Sequence, residues 1–201
     1  FNYGLEYQAA YRSRNNGVCV CQNITDEAGN TLFPWKLHTM KNGLRVGIVG
    51  IVTDYVNIWE KEENIKGIHI TDPFEAAKRA LAQMKERTDL TICIYHGGFE
   101  CDLESGAVLS KTTENVGYRI CKELDFDILL TGHQHMSVPG RELFGTYTVQ
   151  PCDNAKEYQY LAVTVTEDKK SIRSELRQSD PTKGAGLADK YRSTENSVQA
   201  W

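Results

Sequence analysis

Two short apolar runs lie in the middle of the chain, over residues 90–95 and 126–130, and both are typical of buried strands. Before the first run and between the two runs, apolar residues recur with the period of a helix instead. One helix is predicted to begin at Asp72-Pro73 and to continue to residue 87, and a second is predicted over residues 114–124. Strands that alternate with helices predict an α/β fold with a parallel or mixed sheet covered by helices.

The flanking segments predict further strands. Asn42-Gly43 separates two apolar runs and is a strong hairpin signal. A helix is predicted over residues 2–12, a strand over 18–24, the hairpin over 36–40 and 44–52, and a second sheet from strands over 146–150, 160–166 and 171–176. Residues 1–178 are therefore interpreted as one domain, and the polar residues 179–201 as a linker helix towards a further domain.

Composition narrows the function classes. The chain has 201 residues, of which 40% are hydrophobic and 25% charged, and its net charge is −4 with a pI of about 5.8. An acidic chain without a Lys/Arg stripe does not match a protein that binds nucleic acid by neutralising phosphates. No run of eighteen apolar residues and no signal-peptide pattern is present, so no membrane partner is predicted.

The chain contains six cysteines, whose positions indicate the cellular compartment of the protein. Cys19 and Cys21 are two residues apart on one strand, where their side chains share a face without disulfide geometry, and no Cys-x-x-Cys pair occurs. Free thiols at strand positions favour a reducing compartment, so the cysteine usage predicts a cytoplasmic protein.

Three of the five histidines follow the two central strands. His96-Gly97-Gly98 comes after the first strand, and Gly132-His133-Gln134-His135 comes after the second. Imidazoles at neighbouring strand ends form a platform for a metal or a phosphate. Three unrelated surface histidines are the alternative, but a His-x-His pair bracketed by glycine is typical of metal ligands.

These motifs carry a resemblance to a known family. Residues 1–7, His96-Gly97-Gly98, and the segment from Asp127 through Gly132-His133-Gln134-His135 resemble the later motifs of the calcineurin-like metallophosphoesterases. They are most similar to the 5′-nucleotidase and 2′,3′-cyclic-nucleotide 2′-phosphodiesterase/3′-nucleotidase family. Residues 58–65 and 114–118 resemble the cyclic-nucleotide branch, although that branch often has His-Ser-Gly where this chain has His-Gly-Gly.

The resemblance implies a four-layer α/β/β/α sandwich with mixed sheets, present here as a partial domain. It implies two divalent metal ions, Mn, Zn, Co or Fe, with His96 and His133 on one ion and His135 on the other. A metal-bridging hydroxide would attack the phosphorus of a nucleotide substrate, which is a 2′,3′-cyclic, 3′- or 5′-nucleotide. Imidazole ligands suit these metals, and two cations about 4 Å apart can clamp the attacking and leaving oxygens.

The other motifs of the family are not found in these residues. Its Asp-x-His, its bridging Asp, the Asn of its Gly-Asn-His-Glu/Asp motif and its catalytic His are expected upstream of Phe1, and its C-terminal nucleotide-binding domain beyond Trp201. The chain is thus expected to be the second half of a catalytic domain and to be inactive alone. The resemblance also allows a periplasmic or cell-surface location.

Four further residues are candidates for the site. The resemblance places Asn2 beside the active site, and Glu114 and Asn115 either line the site or cap the following helix. Asp127 either holds a ligand histidine in place through a hydrogen bond or caps the end of a strand. Trp59 is interpreted as packing rather than as a base-stacking group. A metallophosphoesterase-like scaffold without catalysis is the alternative function.

Overall fold

The computed structural model describes residues 3–15, 17–166 and 169–180. Within them the helices are α1 (Gly4–Asn15), α2 (Val56–Trp59), α3 (Pro73–Met84) and α4 (Gly117–Glu123), with a 3-10 turn at Glu62–Asn64. The strands are β1 (Cys21–Asp26), β2 (Thr31–Phe33), β3 (Lys36–Thr39), β4 (Arg45–Val52), β5 (Ile68–Ile70), β6 (Leu90–His96), β7 (Ile128–Leu130), β8 (Val138–Leu143), β9 (Thr146–Gln150), β10 (Glu157–Val165) and β11 (Lys170–Gln178).

A six-stranded mixed sheet, in the order β3-β4-β6-β7-β9-β8, is the centre of the fold. Its four inner strands run parallel, and the edge strands β3 and β8 are antiparallel to their neighbours. The inner strand β4 is apolar at almost every position, as parallel strands covered on both faces are. Because parallel strands end at the same edge, the loops after β4, β6 and β7 meet there.

Helices cover one face of this sheet. Asp72 caps α3 by accepting a hydrogen bond from the backbone N–H of Glu75 at 3.1 Å, and Pro73 lies in the first turn, where no donor is lost. The predicted apolar face of α3 is buried, and it shares a core with residues of α4, β4 and β6; its members on α3 include Phe74, Ala77, Leu81 and Met84.

The β10-β11 hairpin covers the other face. Leu161, Val163 and Ile172 of the hairpin pack against a second apolar cluster that contains Val46 and Leu90. The described residues thus form a helix layer, a large sheet and a smaller sheet, which are three of the layers in the predicted sandwich.

A three-stranded antiparallel sheet, β2-β1-β5, lies beside the end of β4. The buried Asn23 side chain joins the two units: its amide donates to the carbonyls of Val52 and Thr71 at 2.7 and 2.9 Å, and its oxygen accepts from the N–H of Val52 at 3.0 Å. All polar atoms of the amide group are thereby satisfied at the strand end nearest the histidine loops.

Most predicted elements are confirmed, with shifted ends. The hairpin around Asn42-Gly43 and the helix that follows Asp72 are present, whereas α4 begins only at Gly117. One prediction was wrong: the strand over 146–150 is not part of a second sheet but pairs in parallel with β7 in the main sheet. Strand β8 was missed because its Pro139 and Gly140 resemble a turn, which an edge strand tolerates.

Two further expectations concern the ends of the chain and the membrane. Asn2 and most of the predicted linker, residues 181–201, lie outside the described residues. Among the described helices, none has the length and apolar character needed to cross a bilayer.

All six cysteines are free thiols, and Cys93, Cys101 and Cys121 are buried. Burial raises the pKa of Cys121 to about 12, so this thiol stays protonated and unreactive at neutral pH.

Asp127 does not support a histidine, so that interpretation was wrong. It lies at the start of β7, at the end of the strand opposite the histidine loop. One carboxylate oxygen accepts from the N–H and hydroxyl of Thr91 at 2.8 and 2.9 Å, and the other accepts from Lys170 Nζ at 2.6 Å. Asp127 therefore joins the beginnings of β6 and β7 to the hairpin, as the strand-end alternative predicts.

Replacing Asp127 should lower stability. We expect Asp127→Ala to cost about 1–3 kcal/mol of unfolding free energy, since it leaves the partly buried donors of Thr91 unpaired. The matched control is Asp125→Ala, which removes only an exposed ion pair with Lys85 and should cost less than about 1 kcal/mol. Urea unfolding monitored by circular dichroism measures both, and equal losses would contradict the assigned role.

Candidate metal centre

The two predicted histidine loops come together at the carboxyl edge of the main sheet. His96 is the last residue of β6 and pairs with Val52 of β4, and His133 follows β7 after a two-residue turn. The N–H of Gly132 donates to the carbonyl of Gly97 at 3.1 Å, which joins the loops directly. The ring centroids of His96 and His133 are 5.3 Å apart.

Close packing, rather than flexibility, explains the glycines after His96. A Cβ at Gly97 would overlap the buried ring of Tyr95, and one at Gly98 would overlap the side chain of Gln134. Gln134 is itself fixed, because its oxygen accepts from the N–H of Phe99 at 2.7 Å and its amide donates to the carbonyl of Phe99 at 2.9 Å. The residue between His133 and His135 thus attaches their loop to the loop that follows His96.

The backbone of the His-x-His segment is strained. His133 and His135 have φ angles of 71° and 56°, in the left-handed region that side chains other than glycine rarely adopt. Such conformations cost about 1–3 kcal/mol each and persist where surrounding contacts enforce them. The segment therefore depends on the contacts of Gln134 and of the two histidine rings.

The electrostatics around His96 favour its neutral imidazole. Partial removal from water, followed by the nearby rings of His133 and His135, lowers the pKa of His96 below its usual value. His96 is therefore neutral at pH 7 and able to offer a ring nitrogen as a ligand. The structure thus brings His96 and His133 together, and His135, two residues further along the same loop, is more exposed than His133.

Glu114 reaches His133 directly. Its Oε1 is 2.9 Å from Nε2 of His133, and its backbone carbonyl accepts from the hydroxyls of Thr53 and Tyr95 at 2.8 and 3.1 Å. Asn115 turns the other way, and its Oδ1 accepts from the N–H of Gly98 at 2.6 Å. The helix-capping alternative for these two residues was wrong, because Val116 occupies the cap position and the N–H groups of Tyr118 and Arg119 in the first turn of α4 donate to the carboxylate of Glu100 at 3.0 and 2.7 Å.

A cavity of about 730 Å³ opens beside the histidines. The residues that line it include His96, His133, Trp59, Lys61 and Asn64. Trp59 stacks on His133 with 5.1 Å between ring centroids and an interplanar angle of 28°, and it is 52% exposed. Trp59 therefore belongs to the site rather than to the core, which the apolar pattern alone did not indicate.

The chemistry of the donors fits a divalent transition metal in part. Two imidazoles 5.3 Å apart, one of them held neutral, are suitable ligands for Zn, Mn, Co or Fe. Among the residues the structure describes, however, no group of three or more His, Cys, Asp or Glu side chains is arranged to enclose an ion. The described residues thus provide part of a metal site.

Sequence comparison finds nucleotide phosphoesterases. The 2′,3′-cyclic-nucleotide 2′-phosphodiesterase/3′-nucleotidase of Salmonella typhimurium is 27% identical over 153 residues, which are 71% of this chain and 23% of that protein. The 5′-nucleotidase of Vibrio cholerae is 30% identical over 142 residues, 69% of this chain and 25% of that protein. The chain thus spans about a quarter of the length of these relatives. No family model matches the chain.

Solved structures confirm the predicted fold class. The putative 5′-nucleotidase from Staphylococcus aureus superposes with a TM-score of 0.81 at 31% identity, covering 89% of this chain and 36% of that one. The calcineurin-like phosphoesterase YfkN from Bacillus subtilis superposes with a TM-score of 0.77, covering 99% of this chain and 69% of that one; at 20% identity, this is a likeness of fold.

The glycine packing predicts unequal effects of two similar substitutions. Gly98→Ala should lower the unfolding free energy by about 1–3 kcal/mol, because the new methyl group collides with a side chain held by two hydrogen bonds. Gly132→Ala, where no atom lies within 4 Å of the new Cβ, should change it by no more than about 0.5 kcal/mol. Denaturant unfolding of both variants measures the difference, and a larger loss for Gly132→Ala would contradict the steric explanation.

Proposed function

We propose that this chain, which belongs to the calcineurin-like metallophosphoesterases related to 5′-nucleotidases and 2′,3′-cyclic-nucleotide phosphodiesterases, is part of an enzyme that hydrolyses nucleotide phosphoesters. The observation that carries the proposal is the meeting of His96 and His133, 5.3 Å apart, at the ends of neighbouring parallel strands and beside a cavity of about 730 Å³. Rigid strand ends are suitable supports for catalytic groups.

In this proposal His96 and His133 bind one divalent cation and His135 binds a second. Mn, Zn, Co and Fe all accept imidazole ligands. When bound, such cations neutralise phosphoryl charge and activate water as the nucleophile. The chain's own part is to keep His96 neutral, to fix the ring of His133 through Glu114, and to shape the cavity in which the phosphoester binds.

The proposed substrate is a 2′,3′-cyclic nucleotide or a 3′-nucleotide. The stretches that resemble the cyclic-nucleotide branch, residues 58–65 and 114–118, both contribute side chains beside the histidines: Trp59 and Lys61 from the first, and Glu114 from the second. Lys61 and Glu60 both line the cavity, and Lys61 also pairs with Glu63 at 4.0 Å, so the proposed cations rather than this segment would attract an anionic substrate. Asn2 and Asn115 remain proposed contributors to substrate binding, although Asn115 already uses its oxygen on Gly98.

The remaining machinery is proposed to come from other segments of a longer protein. The relatives are about four times as long as the matched region, which leaves room for carboxylate ligands, a catalytic histidine and a nucleotide-binding domain. The free, partly buried thiols support a reducing compartment for that protein.

Substrate choice tests the proposed branch. With Mn²⁺ or Co²⁺, the full-length protein should hydrolyse 2′,3′-cyclic nucleotides and 3′-nucleotides, measured as released phosphate or ring-opened product. His133→Ala should lose most of this activity because it removes a metal ligand, whereas His38→Ala, an exposed histidine on β3, should retain it. Turnover of 5′-nucleotides alone would move the protein to the sister branch. Absence of any turnover would favour the scaffold alternative.

Metal content tests how much of the site these 201 residues hold. Two cations about 4 Å apart repel one another unless carboxylates offset their charge, and imidazoles bring no negative charge. We therefore expect the isolated chain to bind at most one ion, weakly, and to be a poor phosphoesterase. Mass spectrometry of the metal content, combined with a phosphodiesterase assay, provides the measurement. Two tightly bound ions with robust turnover would show that the proposed division of ligands is wrong.

A further inference from the structure

Two residues that are not proposed as metal ligands hold the imidazole of His133. Glu114 contacts its edge, and Trp59 contacts its face. We propose that Glu114 and Trp59 are positioning residues, which keep the proton of His133 on Nε2 and leave Nδ1 free as its ligating atom. This inference rests on the proposed function where it assigns the use of Nδ1, but the position of the proton can be measured without a metal.

The edge contact determines the tautomer. A glutamate carboxylate only accepts hydrogen bonds, so at 2.9 Å from Oε1 the Nε2 of His133 must carry a hydrogen, which in the singly protonated ring is its only one. Nδ1 then carries the lone pair. In the part of the chain that the structure describes, Nδ1 of His133 has no hydrogen-bond partner, while the ring as a whole lines the cavity. A carboxylate on the far nitrogen of a ligand histidine also raises the basicity of the ligating nitrogen.

Glu114 is itself held in place beside His133. Its backbone carbonyl receives two hydroxyl hydrogen bonds, from Thr53 and Tyr95, both of which are buried residues at the ends of β4 and β6. The side chains of His133 and Glu114 are 19% and 30% exposed, so the contact is largely shielded from water. Hydrogen bonds in such surroundings are stronger than those on an open surface.

The face contact restricts rotation of the ring. Trp59 lies over His133 at 5.1 Å and 28°, and Tyr55 packs edge-on against Trp59 at 5.6 Å and 65°. These offset and edge-to-face arrangements are the favourable geometries for aromatic pairs. His133 needs such support because its backbone is in the left-handed region, with a φ of 71°. Together the two contacts define one ring orientation.

Nitrogen-15 NMR of the histidine side chains in the metal-free 201-residue chain tests the proton position directly. Loss of one resonance pair in His133→Ala assigns the signals. We expect Nε2 protonated and Nδ1 unprotonated in the parent chain, and a mixture of tautomers in Glu114→Ala. Glu114→Gln offers an amide N–H2 donor as well as an acceptor oxygen, so it should weaken the preference for the Nε2 proton less than Glu114→Ala does. Glu27→Ala, which removes an exposed turn carboxylate, is the matched control and should change nothing. A proton on Nδ1, or an unchanged tautomer in Glu114→Ala, would overturn the proposal.

Zinc titration separates this inference from the proposed function. Zn²⁺ alone should shift Nδ1 of His133, and Glu114→Ala and Trp59→Leu should each weaken zinc binding by about 10–100-fold, the range for supporting partners of a metal ligand. Trp59→Phe should restore most of the affinity, and Ile58→Ala, an exposed neighbour on the same helix, should leave it unchanged. A response at Nε2, or no loss in either variant, would refute the positioning role. If no histidine responds to zinc even in the full-length protein, the proposed metal function fails instead. Circular dichroism checks that each variant is folded.

Discussion

The site depends on the parallel pairing of β4, β6 and β7. Val52 lies opposite His96, and the loop after β7 is joined to the loop after β6 through the Gly132 to Gly97 hydrogen bond. Strand pairing fixes positions far more precisely than loops do, since each residue is set by a ladder of backbone hydrogen bonds. The separation of the two imidazoles is therefore determined mainly by the sheet, and their orientation is left to the loops.

Polar side chains complete the strand ends, where the backbone ladder stops. Asn23, Thr53, Asn115 and Gln134 each bond to a backbone group that has no partner in the sheet. Buried backbone groups need such partners. In this fold the same bonds that satisfy the backbone also connect the segments that carry His96, Glu114 and His133. Stability and site geometry therefore rest on shared contacts, so substitutions here are expected to affect both.

The sequence was most informative where a local pattern and the tertiary structure demand the same thing. The helix that starts at Asp72, the hairpin at Asn42-Gly43 and the two strands before the histidines combine capping, turn chemistry and apolar period in agreement. It failed where tertiary context prevailed. Strand β8 was missed because it contains Pro139 and Gly140. The pairing of β9 in the main sheet was missed because the order of strands in a sheet is not encoded in any single apolar run.

The same limit applies to the site. Histidines after glycine-bounded strands were recognisable as candidate ligands, but nothing in the spacing placed Trp59 on the face of His133 or Glu114 at its edge, because these contacts join residues 74 and 19 positions apart. Asp127 was misassigned for a related reason. It is near the His-x-His segment in sequence, but a strand separates the two, so they lie at opposite ends of the sheet.

The role of Glu114 explains why a carboxylate this close to the histidines does not complete a metal set. An oxygen engaged with the Nε2 proton of His133 is on the side of the ring away from Nδ1, and it strengthens the imidazole as a ligand instead of replacing one. The negative charge that two adjacent cations require must then come from other carboxylates. In the proposed site the described residues thus contribute oriented imidazoles, and the charge-balancing ligands are a separate requirement that a different segment can meet.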